Sequence, residues 1–448
     1  MEELLCISPI DGRYHKTTEK LNEFFSEYAL IKYRVFVEVK WLLELDKIIN
    51  IGLSNLEIEN LNKILADFGI SDAKKVKEIE SVTKHDVKAV EYFLREKFDT
   101  LNLSKYESYI HFGCTSEDIN NLAYGLMIKH GLNDVFIPNA EELINVVSEK
   151  AREYKHIPML AHTHGQPATP TTVGKELAVF VYRWQSILKL LKNIKLRGKF
   201  SGAVGNFNAH LVAYPNLDWI QLSKNFVESL GLEFNPLTTQ IESHDIICVI
   251  FNFIKSFNSI TLDFNLDMWT YISKNYFKQA VVATEVGSSV MPHKVNPINH
   301  ENSMANIRIG NSIFTALADN LPVSRMQRDL SDSSALRNIG VAFSHTIVSI
   351  KQSIIGFKKL SPNEVVLSED LSTNVAVISE AIQTVLRKNG VPDAYEKLKE
   401  LTRGKETTPE IIKEFVNDID IPNEDKENLL NLTPENYLGL ASKLVDFI

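Results

Sequence analysis

Over residues 242–286 the chain runs without a glycine or a proline, and Ile246, Ile250, Phe253, Phe257, Ile260, Phe264, Met268 and Tyr271 follow one another at spacings of three or four. That is one apolar stripe of an α-helix. At about 1.5 Å per residue, a helix over the whole stretch would run on the order of 65 Å, longer than a compact domain needs. Ile247, Phe251, Ile254 and Leu262 form a second stripe that widens the apolar face, so more than one neighbouring helix must pack against it. Residues 140–156, 175–197 and 341–355 have the pattern to supply those neighbours. The expected fold is mostly α, an elongated bundle of long helices. Helices of this length with broad apolar faces complete their burial by oligomerising. The stripe residues themselves are read as core.

At 448 residues the chain is too long for one small core, and three domains are expected. Residues 1–105 read as an N-terminal helical domain, residues 106–355 as the central bundle, and residues 356–448 as a small C-terminal helical domain. The last is punctuated by Pro362, Gly390, Pro392, Gly404, Pro409, Pro422 and Pro434. Strands are expected only as short hairpins in loops. The net charge of −9 argues against a surface that wraps nucleic acid or lies on anionic lipid, since both need clustered cations. An anionic substrate would need local ones. The three cysteines, Cys6, Cys114 and Cys248, are odd in number and far apart, which fits reduced thiols better than a disulfide framework. The first residues have neither the charge pattern of a signal peptide nor that of a transit segment, and no uninterrupted apolar run approaches a membrane-spanning length. A cytoplasmic protein is the expectation.

The run Gly287-Ser288-Ser289-Val290-Met291-Pro292-His293-Lys294-Val295-Asn296-Pro297 concentrates hydroxyl, ammonium and amide groups in a segment kept out of regular helix by its glycine and prolines. Loops of this kind carry binding and catalytic groups. A second such place is Thr163-His164-Gly165-Gln166, where a histidine that titrates near neutrality can hold and release a proton. His162 and His164 stand two apart and raise a metal hypothesis. It is set aside because the surroundings read helical and no HExxH or cysteine pair accompanies them. No metal and no cofactor are expected.

The string GSSVMPHKVNPINHEN resembles the signature of the fumarase/aspartase superfamily. SPIDGRY at 8–14, TKHDVKAVEYF at 83–93, HFGCTSEDINN at 111–121 and THGQPATPTTVGKE at 163–176 match as well. So do GAVGNFNAH at 202–210, TTQIESHD at 238–245 and LPVSRMQRDLSDSSALRN at 321–338. The resemblance implies a three-part, mostly helical fold and a homotetramer whose active sites are each assembled from three subunits. It also implies elimination of fumarate from adenylosuccinate, leaving AMP, and from succinylaminoimidazole carboxamide ribotide, in purine nucleotide synthesis. By the family pattern Ser288 is the base and His164 the acid leaning on Glu301, while Lys294, with Asn296 nearby, suits the task of stabilising the charge that develops on the carboxylate. Arg13, Tyr14, His85, Asp86, Val87, Arg328, Ser333, Ser334 and Arg337 resemble contacts to the phosphate and nucleotide. Thr115 and Ser116 resemble contacts to the succinyl carboxylates, and His111, Gln240, Ser289, Val295 and Asn302 other substrate contacts. Relatives usually carry arginine where this chain has His162. Another fumarate-releasing member, a non-enzymatic scaffold and a metal hydrolase built on His162 and His164 are the alternatives; His293, the KHDV run and VSRMQRDL favour the phosphorylated purine substrate.

Overall fold

The computed structural model describes residues 3–281, 290–291, 293–403 and 407–448. The fold is mostly α, and among the described residues the strands are two or three residues long and pair two by two. The longest helix, Asp245–Ser273, has 29 residues and spans about 43 Å. Val173–Lys192, Ile298–Asn320 and Ile339–Lys358 are also long, as is Glu27–Ile49 near the N-terminus.

The longest helix does not run on to residue 286. It stops at Ser273 because Asn275 adopts a left-handed conformation, with φ 60°. The Tyr276 N–H then bonds to the Tyr271 carbonyl at 2.8 Å and the Asn275 N–H to that of Ile272 at 3.0 Å. This pair of bonds is a Schellman cap, and the stacked rings of Tyr271 and Tyr276, 6.0 Å between centroids, supply its apolar contact. Phe277–Gln279 leaves as a strand, antiparallel to Leu360–Pro362.

Ser116–Gly131 continues through a π turn, Leu132–Phe136, into Ile137–Glu153. Pro138 accounts for the turn, since it has no N–H for the Asp134 carbonyl one turn back. Lys20 Nζ donates to that carbonyl at 2.9 Å instead.

Contacts divide the chain into two compact units. The first comprises residues 1–140, 187–259 and 305–351. Its core joins Ile31, Val35 and Leu42 to Phe68, Phe93 and Phe98, and Phe314 lies 5.2 Å from Phe251 and 5.5 Å from Phe343. The second comprises residues 141–186, 260–304 and 352–448. Phe264 lies there between Trp184 at 5.2 Å and Phe357 at 5.3 Å, and residues 375–429 contribute a separate apolar cluster. Among the described residues Asp245–Ser273 is the one helix long and apolar enough to cross a membrane, yet half of its most apolar window is buried within the chain. Asn258, Thr261 and Asn265 are wholly buried and hydrogen-bonded, the pattern of a core helix.

Candidate functional site

In the first unit, helix Glu27–Ile49 carries Arg34 and Glu38 on an otherwise apolar face, each only 2% exposed. Buried charges need partners. Arg34 donates to Asp86 at 2.7 Å and to Asn120 at 2.8 Å, and Asn120 donates to Glu117 at 2.7 Å. Glu117 pairs with Arg328 at 3.0 Å, while Asp86 also takes Arg337 at 3.2 Å. Arg328 donates to the Ser333 hydroxyl at 3.2 Å and approaches Gln240 Oε1 at 3.5 Å. One network thus gathers Asp86, Gln240, Arg328, Ser333 and Arg337, as the motifs imply, and adds Arg34, Glu117 and Asn120. Burial works to raise the Asp86 carboxyl, but Arg34, the Val87 N–H and Arg337 outweigh it and hold the group below its ordinary range. The buried Nε of Arg328 has no acceptor among the described residues. Two guanidiniums and a hydroxyl are the donor set a phosphate needs.

The other expected nucleotide contacts vary in position. His85 caps helix Asp86–Thr100, accepting the Lys88 N–H on Nδ1 at 3.1 Å. Val87 is wholly buried, and its N–H bonds to the Asp86 carboxylate at 2.9 Å. Arg13 and Ser334 are exposed, and Tyr14 is half-buried ahead of the short helix His15–Thr18.

The segment 111–116 is braced at successive residues. Glu38 accepts the His111 backbone N–H at 3.2 Å and Nδ1 at 2.6 Å. Burial disfavours the charged ring, but Glu38, with Glu91 and Asp118 beyond it, raises the His111 pKa. Trp41 Nε1 donates to the Phe112 carbonyl at 2.9 Å. Gly113, at φ 73°, lies so close to His210 that a Cβ would stand 2.6 Å from the ring nitrogen. Asp118 accepts the Thr115 N–H at 2.8 Å, reaches the Ser201 and Gly202 N–H groups at 2.8 and 3.1 Å, and pairs with Lys199 at 3.0 Å. Thr115 and Ser116 therefore stand at a fixed helix N-terminus, whose free N–H groups favour a carboxylate.

In the second unit, Pro158–Met159 pairs with Thr171–Thr172, and inside it His162–Thr163 pairs with Gln166–Pro167. The surroundings of His162 are thus a hairpin, not the helix the sequence suggests. His164 and Gly165 form its turn with φ 55° and 74°, positive at both central residues as a type I′ turn requires. His164 is exposed at the tip. His162 Nε2 accepts from Lys274 at 2.9 Å, so an ammonium occupies that ring nitrogen. Glu301 accepts the Trp269 indole N–H at 3.1 Å, and among the described residues no hydrogen bond joins it to His164. Its neighbour His300 is buried, hydrogen-bonded to Asn265 at 2.8 Å, and its pKa is pushed down to about 4 by burial. Lys294 and Val295 are exposed, and the Val295 carbonyl accepts from Gln279 at 3.1 Å. Asn296 and Asn302 are half-buried, while Ser288 and Ser289 lie outside the described residues.

A family model described as lyase matches residues 12–309, and one described as adenylosuccinate lyase C-terminal matches residues 324–438. The adenylosuccinate lyase of Haemophilus influenzae is 48% identical over 451 residues, covering 100% of this chain and 99% of its own. That of Escherichia coli strain K12 is 47% identical over 451 residues with the same coverage, and that of Legionella pneumophila strain Corby 49% over 447 residues, covering 99% and 98%. Among solved structures, a fumarate lyase from Mesorhizobium sp. BNC1 superposes with TM-score 0.78 at 18% identity, covering 96% of this chain and 97% of its own. The 3-carboxy-cis,cis-muconate lactonizing enzyme from Pseudomonas putida gives TM-score 0.73 at 17% identity, covering 96% of each. These two show the shared fold. By the family models and the end-to-end identity, the chain belongs to the adenylosuccinate lyase family of the fumarase/aspartase superfamily.

Proposed function

We propose that the chain is a carbon–nitrogen lyase that eliminates fumarate from adenylosuccinate, leaving AMP, and from succinylaminoimidazole carboxamide ribotide, in cytoplasmic purine nucleotide synthesis. The observation that carries this reading is the identity of nearly half of all positions, along the whole chain, with relatives of that activity. The network around Arg328, Ser333 and Arg337 supports a phosphorylated substrate.

In this reading Ser288 removes the proton beside the substrate carboxylate, and the electron pair moves into that carboxylate. Lys294 and Asn296 stabilise the charge there, which is where fixed donors lower the barrier most. The pair then returns to form the double bond of fumarate as the C–N bond breaks, and His164 delivers a proton to the departing nitrogen. Thr115 and Ser116 hold the succinyl carboxylates. A homotetramer with shared sites belongs to the same reading. Exposed Val179, Tyr182, Leu190, Leu266, Trp269 and Ile309 on the long helices supply apolar surface for it, and the division of the chain near residues 105 and 355 follows the family's three-part plan.

Absorbance change on adding adenylosuccinate to the purified chain, with and without chelator, tests the function. Equal release of AMP and fumarate, unaffected by chelator, is expected. Absence of fumarate, or turnover of argininosuccinate in its place, would refute it.

A further inference from the structure

We propose that Lys274 is a positioning residue for the acid histidine: its ammonium, bonded to His162, holds the hairpin that carries His164 at its tip. This rests on the reading of His164 as the acid. Lys274 directly follows helix Asp245–Ser273, at the negative end of the helix dipole, which favours a cation. Its Nζ lies 2.9 Å from His162 Nε2 and 5.3 Å from the centroid of the Tyr276 ring, whose hydroxyl donates to Asp370. The His162 and Tyr276 rings are 6.3 Å apart.

An ammonium only donates, so His162 accepts through Nε2 and carries its proton on Nδ1. Burial and Lys274 both favour that neutral ring, against a weaker pull from Asp370. Lys274, Asp370 and Tyr276 are the titratable groups that face it. The bond therefore needs a neutral His162; protonating the ring would take away its acceptor and set two cations against each other.

The hairpin needs such an anchor because its own ladder is thin. The strands are two residues long, and beyond His162 and Pro167 the Ala168 N–H donates to the Ala161 carbonyl at 2.8 Å. His162 is two residues from His164, so freeing it loosens the imidazole that must meet the leaving nitrogen. A misplacement of about 1 Å costs up to roughly a hundredfold in rate.

The test compares Lys274→Met, Lys274→Arg, His162→Ala and the Lys274→Met/His162→Ala pair in the full chain, with kcat and KM measured across pH. Lys274→Met should lower kcat by about tenfold or more with KM nearly unchanged, since positioning rather than binding is lost. Lys274→Arg should recover part of it, and the double variant should be no worse than the worse single one. Unchanged kcat, a loss confined to KM, or additive losses would overturn the proposal. The two readings fail separately: near-normal turnover by His164→Ala refutes the acid role, whereas additivity at Lys274 and His162 refutes the anchor.

Discussion

Replacing Asp118 by asparagine should be among the costliest single changes in the first unit. Asp118 and Lys199 have no solvent exposure and stand 3.0 Å apart. The carboxylate also accepts N–H groups from Thr115, Ser201 and Gly202, while Lys199 donates to the Gly202 and Gln240 carbonyls at 2.9 and 2.8 Å. An asparagine side chain would keep the size but turn an amide NH2 toward these donors and leave the ammonium uncompensated. Removing one partner of a buried pair costs about 3–5 kcal/mol. Adding Lys199→Met in the same chain should recover much of that, because no unpaired charge remains and the methionine fills the space of the lysine stem. Urea unfolding, with all variants at one protein concentration because oligomer stability depends on it, reads the difference. Since Thr115 begins the helix that is expected to hold the succinyl carboxylates, KM should rise as well. A cost below about 1 kcal/mol, or a double variant no more stable than Asp118→Asn, would refute the reasoning.

Two further outcomes are expected. His300, pushed down to about 4 by burial, would titrate near 6.5 once unfolded; the unfolded chain therefore binds the proton first as pH falls, and about 3 kcal/mol of stability present above pH 6.5 is lost toward pH 4. His300→Gln should flatten that dependence in urea titrations, and an unchanged slope would contradict it. Asn275→Ala should cost about 1 kcal/mol at the left-handed cap and Asn275→Gly almost nothing; equal melting temperatures for the two variants would show the cap to be unimportant.

The long-helix architecture is legible because apolar periodicity is local. The stop at Ser273 is not, because its signal is an asparagine whose left-handed turn is fixed by the Tyr276–Tyr271 contact and the strand pairing beyond it. The hairpin is missed for a related reason: His164 takes a positive φ that histidine adopts only occasionally. Arg328, Ser333 and Arg337 are found through their motif, whereas Arg34 and Glu38 lie in a helix without one. Their available signal is two charges four residues apart among Ile31, Val35, Val39 and Leu42, which buried charge makes informative. Asp118 sits inside a matched motif, but only its meeting with Lys199, far along the chain, gives it meaning.

Turnover of His164→Ala beside His162→Ala, measured with adenylosuccinate in elimination and with AMP and fumarate in reverse, tests the proposed chemistry most directly. The group that gives the proton in one direction takes it back in the other. His164→Ala should therefore lose activity both ways, and His162→Ala, which removes only the hairpin's anchor, should be clearly milder. A His162 variant more impaired than the His164 variant would contradict the assignment and move the acid role to the other histidine.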